Sequence, residues 1–101
     1  MTTKITIIVD NPADPQAFEQ AYPALLEAAA KLPDLQRVES AKVWPKEDGS
    51  PTPAHRTLDL YFDDYDAASA ATATPEASAL FGGLAATGAS ITGLFSDVEQ
   101  D

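Results

Sequence analysis

The chain has 101 residues, 45% hydrophobic and 22% charged, a composition that fits one folded domain over residues 1–101 and speaks against disorder. Six Lys and Arg stand against sixteen Asp and Glu, a net charge of −10. That balance excludes a nucleic-acid binder, since phosphate contacts need basic side chains, and it disfavours docking on anionic membranes. With no Cys and a single His, disulfides, thiolate chemistry and His-rich metal sites are excluded, so no metal and no other cofactor is expected.

In chain order, Lys4 to Asp10 reads as a strand, because Ile5, Ile7, Ile8 and Val9 are β-branched. Both parities are apolar at its centre, so it is expected to be central and covered on both faces. Asn11-Pro12-Ala13-Asp14-Pro15 stops it, with Asp14 placed as a helix N-cap and Pro15 at the first helical position. A helix follows from Pro15 to Lys31, its apolar stripe made of Phe18, Tyr22, Leu25, Ala29 and Leu32. Pro23 lies inside it and predicts a kink, since proline loses a backbone hydrogen bond and clashes with the carbonyl of Glu19. Leu35 to Trp44 reads as the second strand. The loop Pro45–Pro53 follows, longer than a tight hairpin needs and expected to be the most mobile segment away from the termini.

His55 to Asp63 is the third strand, with Leu58, Leu60 and Phe62 on one face and Thr57, Asp59 and Tyr61 on the other. Asp63, Asp64 and Asp66 open a helical region as capping carboxylates that complement the helix dipole. Thr74-Pro75-Glu76 restarts it, and Leu80, Phe81 and Leu84 supply its buried face. Ile91 to Val98 is the last strand. The order β-α-β-β-α-β, with right-handed crossovers, predicts an α+β ferredoxin-like fold: a four-stranded antiparallel sheet with the helices on one face. The start has neither the apolar core nor the cleavage site of a signal peptide, and no run approaches the ~20 apolar residues that span a bilayer. A cytoplasmic location is expected by elimination.

Several segments together resemble the EthD family of the dimeric α/β-barrel superfamily. They are Asp14-Pro15-Gln16-Ala17-Phe18 before Tyr22, Leu32-Pro33-Asp34-Leu35, Leu58-Asp59-Leu60-Tyr61-Phe62-Asp63, Thr74-Pro75-Glu76 and Leu94-Phe95-Ser96-Asp97-Val98-Glu99. The resemblance covers nearly the whole chain and implies a dimeric α/β barrel. It also implies a link to bacterial degradation pathways. Many members carry a histidine, any residue, then Pro-Leu in the first helix. Here that region reads Tyr22-Pro23-Ala24-Leu25, so the histidine is missing.

Two functions stay open. One is a cofactor-free lyase, isomerase or oxygenase acting on a small, mostly apolar organic molecule. The other is a non-catalytic dimer that binds a ligand or serves assembly. His55, the single histidine and so the one side chain of a type whose unperturbed pKa lies near neutrality, is the candidate general base; the alternative is exposure beside the Pro-rich loop. Asp59 is the second acid–base candidate, but it lies four strand residues away, ~13 Å, so the two do not pair. Its alternative, with Tyr61, is a solvated sheet face or a dimer contact. Phe18, Tyr22, Leu25, Trp44, Tyr61 and Phe81 are candidate ligand contacts, with core packing the competing role for Trp44, Tyr22 and Phe81.

The site is expected between the first helix and the sheet near Pro23, anchored by the Tyr22 hydroxyl. It would take a neutral aromatic or cyclic molecule, because the sequence shows no basic clamp. Since both sheet faces carry apolar side chains, a homodimer paired through the sheets is expected.

Overall fold

Seven elements form in the structure, a computed structural model that describes residues 1–100. They are β1 (Thr3–Val9), α1 (Pro15–Ala30), β2 (Arg37–Lys42), β3 (Arg56–Phe62), α2 (Tyr65–Thr72), α3 (Pro75–Ala86) and β4 (Ile91–Asp97). The strands make an antiparallel sheet in the order β2-β3-β1-β4, the ferredoxin-like arrangement the element order predicts. Each helix starts where a short polar side chain accepts an otherwise unpaired N–H. Asp14 accepts from Ala17, Asp64 from Ala67 and Thr74 from Ala77, with Pro15 and Pro75 directly after their caps. The second crossover holds two helices, because Thr74-Pro75 ends α2 and begins α3. Among the described residues no helix is long and apolar enough to cross a membrane.

All three helices pack on one side of the sheet. Ile5, Ile7 and Val9 of β1 and Leu58, Leu60 and Phe62 of β3 are buried with Phe18, Tyr22 and Leu25 of α1 and Leu80 and Leu84 of α3. β1 is central, as predicted, but its covering is one-sided: Ile8 points to the opposite face and stays half-exposed.

That open face is more polar than its strands predict. Cross-strand register sets it in rows. Arg37, Tyr61, Lys4 and Ser96 form the first, Glu39, Asp59, Thr6 and Leu94 the second, and Ala41, Thr57, Ile8 and Thr92 the third. The apolar patch expected there is therefore reduced to Ile8, Leu94 and the Tyr61 ring. Phe95 shares the parity of Ile5 and turns to the helix side, where it meets Tyr65 with ring centroids 5.4 Å apart. Phe81 is only partly buried, so α3 rests chiefly on Leu80 and Leu84.

Other expectations change. β2 is shorter than Leu35–Trp44, because as an edge strand it is held only where β3 pairs with it. The packing considered for Trp44 does not occur: its side chain is 86% exposed. The last pairing bond on that side runs from Val43 N–H to His55 O, and the chain then leaves into the Pro45 loop. α1 stays helical through Pro23. The proline is exposed while Tyr22 and Leu25 are fixed in the core, so packing on the opposite side offsets the one missing backbone bond. The Pro45–Pro53 loop is mostly exposed, but its far end is tied to Asn11, which bonds both the carbonyl and the hydroxyl of Thr52.

Candidate functional site

The feature that stands out on the covered side of the sheet is a charged cluster at the edge of an apolar core. Arg56 has the parity of Leu58, Leu60 and Phe62, so β3 turns its guanidinium toward the helices. Glu19 follows Phe18 on the flank of the α1 stripe and meets it. Nη2 of Arg56 donates to Oε1 at 2.6 Å and Nε to Oε2 at 2.8 Å, a two-pronged ion pair. His55 joins from the other side, its Nε2 3.0 Å from the same Oε2. The Arg56 bonds, helped by His55, outweigh desolvation and pull the Glu19 carboxyl down to about 2 from its usual 4.5. The same carboxylate raises the pKa of Arg56.

An ionised carboxylate can only accept, so Glu19 fixes which imidazole nitrogen carries the proton. In the neutral ring Nε2 donates to Glu19 and the lone pair sits on Nδ1. This is how a carboxylate orients a histidine base. The His55 ring meets Phe18 edge-on, with centroids 5.3 Å apart, and its side chain is only 12% exposed. It is therefore not the exposed loop histidine of the alternative reading.

Tyr22 extends the cluster. Its ring stacks on Phe18 at 5.4 Å and lies 4.5 Å beneath the Arg56 guanidinium. Its hydroxyl is 2.8 Å from Ser40 Oγ of β2. The hydroxyl expected to anchor a ligand thus has a partner within the chain. Tyr22→Phe should cost about 1 kcal/mol, the net worth of a partly buried hydrogen bond, and lower the melting temperature by roughly 4–8 °C. A melting curve identical to the parent would count against that bond.

Asp59 is not part of this cluster. It lies on the open face, where Thr6 donates its hydroxyl and Lys4 Nζ approaches to 3.7 Å. Its separation from His55 follows the strand spacing. Tyr61, on the same face, donates its phenol to Glu39. Desolvation first, and the Glu39 carboxylate second, raise that phenol's pKa. Trp44 joins neither group. Glu19 and Arg56 escaped the sequence reading, although a basic residue at a core-facing strand position is a sign that a carboxylate must meet it. Among the described residues no group of three His, Asp or Glu could hold a metal ion.

Of three clefts, one touches this cluster through Phe18, and none is lined by Pro23. One of about 260 Å³ opens between the start of α1 and the end of α3, lined by Ala17, Phe18, Ala21, Gly83, Ala86 and Thr87. Another of about 320 Å³ lies further along the same antiparallel helix pair, between Ala24–Lys31 and Pro75–Ala79. Between them Gly83 lets the helices close up, because a Cβ there would run into the Leu25 side chain. A third cleft, about 680 Å³, lies at the sheet end and includes Lys4, Arg37 and Tyr61. A basic pair therefore exists away from the first helix: strand order brings these two cations to one tyrosine.

No family model matches the chain. It is 33% identical over 100 residues to an 11.0 kDa protein of the thcB–thcC intergenic region of Rhodococcus erythropolis, covering 95% of this chain and 94% of that one. An EthD (ethyl tert-butyl ether D) family protein of Bacillus halodurans superposes with TM-score 0.86 at 23% identity, over 97% of this chain and 99% of that one. A dimeric ferredoxin-like protein of Thermobifida fusca gives TM-score 0.74 at 18% identity, covering 97% and 92%. SnoaB, a cofactor-independent oxygenase of Streptomyces nogalater, gives 0.67 at 16% identity, covering 99% and 94%.

Proposed function

The chain belongs to the family of the Rhodococcus erythropolis protein and has the ferredoxin-like fold of EthD family proteins, and on that premise we propose that it is a homodimer that binds a small, mostly apolar organic molecule. The observation that carries the reading is Phe18. Phe18 borders the apolar opening between α1 and α3, and its buried ring is the surface against which Tyr22 and His55 pack. A molecule seated there meets the methyl groups of Ala17, Ala21 and Ala86, with no charge on the walls. Dimerisation is supported by the dimeric likeness from Thermobifida fusca and by the open sheet face. Lys4 and Arg37 balance Glu39 and Asp59 on that face, so its formal charge is zero although the chain carries −10. Two copies can pair through it about a twofold axis without adding to their mutual repulsion.

A second reading, catalysis, is favoured by the Glu19–His55 pair, which leaves Nδ1 of the neutral imidazole as the proton acceptor. It requires the Phe18 ring to yield, since that ring stands between the apolar opening and His55. Binding requires no such movement.

Light scattering should give about twice the 10.6 kDa chain mass. The neutral fluorophore N-phenyl-1-naphthylamine should bind saturably. Ala21→Leu, which fills the opening, should weaken it about tenfold or more, as expected when a few methyl-sized contacts are displaced, while Asp59→Asn leaves it unchanged. A monomer mass would sink the dimer, and equal binding by Ala21→Leu would sink the seat. Catalysis is distinguished by a substrate whose turnover is lost in His55→Ala while its binding is kept.

A further inference from the structure

A different chemistry is built into the opposite end of the sheet. Lys4 and Arg37 are the direct cross-strand neighbours of Tyr61, one on each side. The Arg37 guanidinium lies 4.0 Å from the ring centroid and Lys4 Nζ 5.8 Å from it. Beyond this row, where β1 and β2 begin and β3 and β4 end, opens the cleft of about 680 Å³, a size suited to a small organic ligand. Gln36 adds an amide to its walls and Val98 an apolar side chain. Asp63 is the one carboxylate among its described residues. A chain with sixteen acidic and six basic residues thus sets two cations against one carboxylate among the described residues of this lining.

Both cations are loosely engaged. Arg37 pairs with Glu39 at 2.9 Å, but both side chains are half-exposed or more, and exposed pairs contribute little. Lys4 stands 3.7 Å from Asp59, whose nearer partner is the Thr6 hydroxyl. An incoming carboxylate therefore displaces only weak pairings. It gains a guanidinium able to bind it in two places, a second positive charge and an aromatic surface for its apolar part.

We propose that this cleft binds a small organic carboxylate, its anionic group held between Lys4 and Arg37 and its apolar body laid along Tyr61 and Val98. The site is independent of the apolar opening between the helices and of the neutral molecule assigned there; it lies at one end of the sheet face proposed for dimerisation and rests on the dimer leaving that end open.

The probe is benzoate, with benzamide as its neutral counterpart, titrated calorimetrically into the full chain in its native oligomeric state. Benzoate should bind saturably and at least about tenfold more tightly than benzamide, the difference a charge-assisted hydrogen bond makes. Binding should weaken with added salt. Arg37→Gln and Lys4→Gln should each weaken it severalfold in protein whose light scattering still gives the parent's oligomer mass, while Glu39→Gln, which frees Arg37, should tighten it. Lys46→Gln makes the same change in net charge in the distant loop and should leave affinity intact. Equal binding of benzoate and benzamide, equal losses in Lys46→Gln and Arg37→Gln, or no saturable benzoate binding would each overturn the assignment.

Discussion

Phe18→Ala is expected to remove about 3–5 kcal/mol of stability, a large part of what holds a domain of this size together. Phe18 is 1% exposed. Its ring is bounded by Tyr22 along α1, by His55 at the start of β3 and by the helix pair on its other side. None of these can slide inward to fill the space. Tyr22 is held at both ends, by Ser40 and by the Arg56 stack, and His55 is fixed by Glu19. The vacated volume therefore persists as a cavity, and cavity cost adds to lost transfer energy. Urea unfolding should show the midpoint falling at nearly constant slope, with the melting temperature lower by more than about 10 °C. Phe18→Leu, which refills most of the space, should recover more than half of the loss. A melting temperature within a few degrees of the parent would mean that the ring is not the keystone between helix and sheet.

The sequence makes some of this packing readable and hides the rest, and the division has a physical cause. Leu58, Leu60 and Phe62 announce their shared face because a strand alternates every two residues. Asp14, Asp64 and Thr74 announce the helix starts because only a short acceptor satisfies the first N–H groups. These are local rules, and every element they mark is present. The open face obeys a non-local one. Lys4, Tyr61 and Arg37 are a row only because β3 lies between β1 and β2 in one particular register, and a slip of one residue would send each to the other side. Nothing near Lys4 in the chain signals Arg37. The fate of Trp44 is equally non-local, since it depends on where β3 ceases to pair with β2. The Glu19–Arg56 pair lies between these cases. Arg56 shares the parity of three core residues, so the strand pattern alone demands a buried counter-charge. Glu19, beside Phe18 at the margin of the apolar stripe, was placed to supply it.

That pair sets the acid response. With its carboxyl held at about 2, against an ordinary value of 4.5, Glu19 binds a proton less readily in the folded chain than in the unfolded one. Its contribution to stability is therefore complete above about pH 5 and is lost as the pH falls from about 4.5 toward 2. Taken whole, the shift corresponds to about 3 kcal/mol. The Glu19 side chain is 32% exposed, and solvent screening reduces the expected effect to about 1–2 kcal/mol. Glu19→Gln isolates it, because the other fifteen acidic residues are common to both proteins. At pH 7 the variant should be less stable by that amount, since Arg56 keeps only a neutral partner and His55 loses the carboxylate that orients it. The gap should close as the solution is acidified, until the two unfolding curves nearly coincide close to pH 2. A difference that stays constant across the titration would assign the loss to altered packing rather than to charge. No difference at pH 7 would mean that the triad fixes the position of His55 without contributing to the stability of the fold.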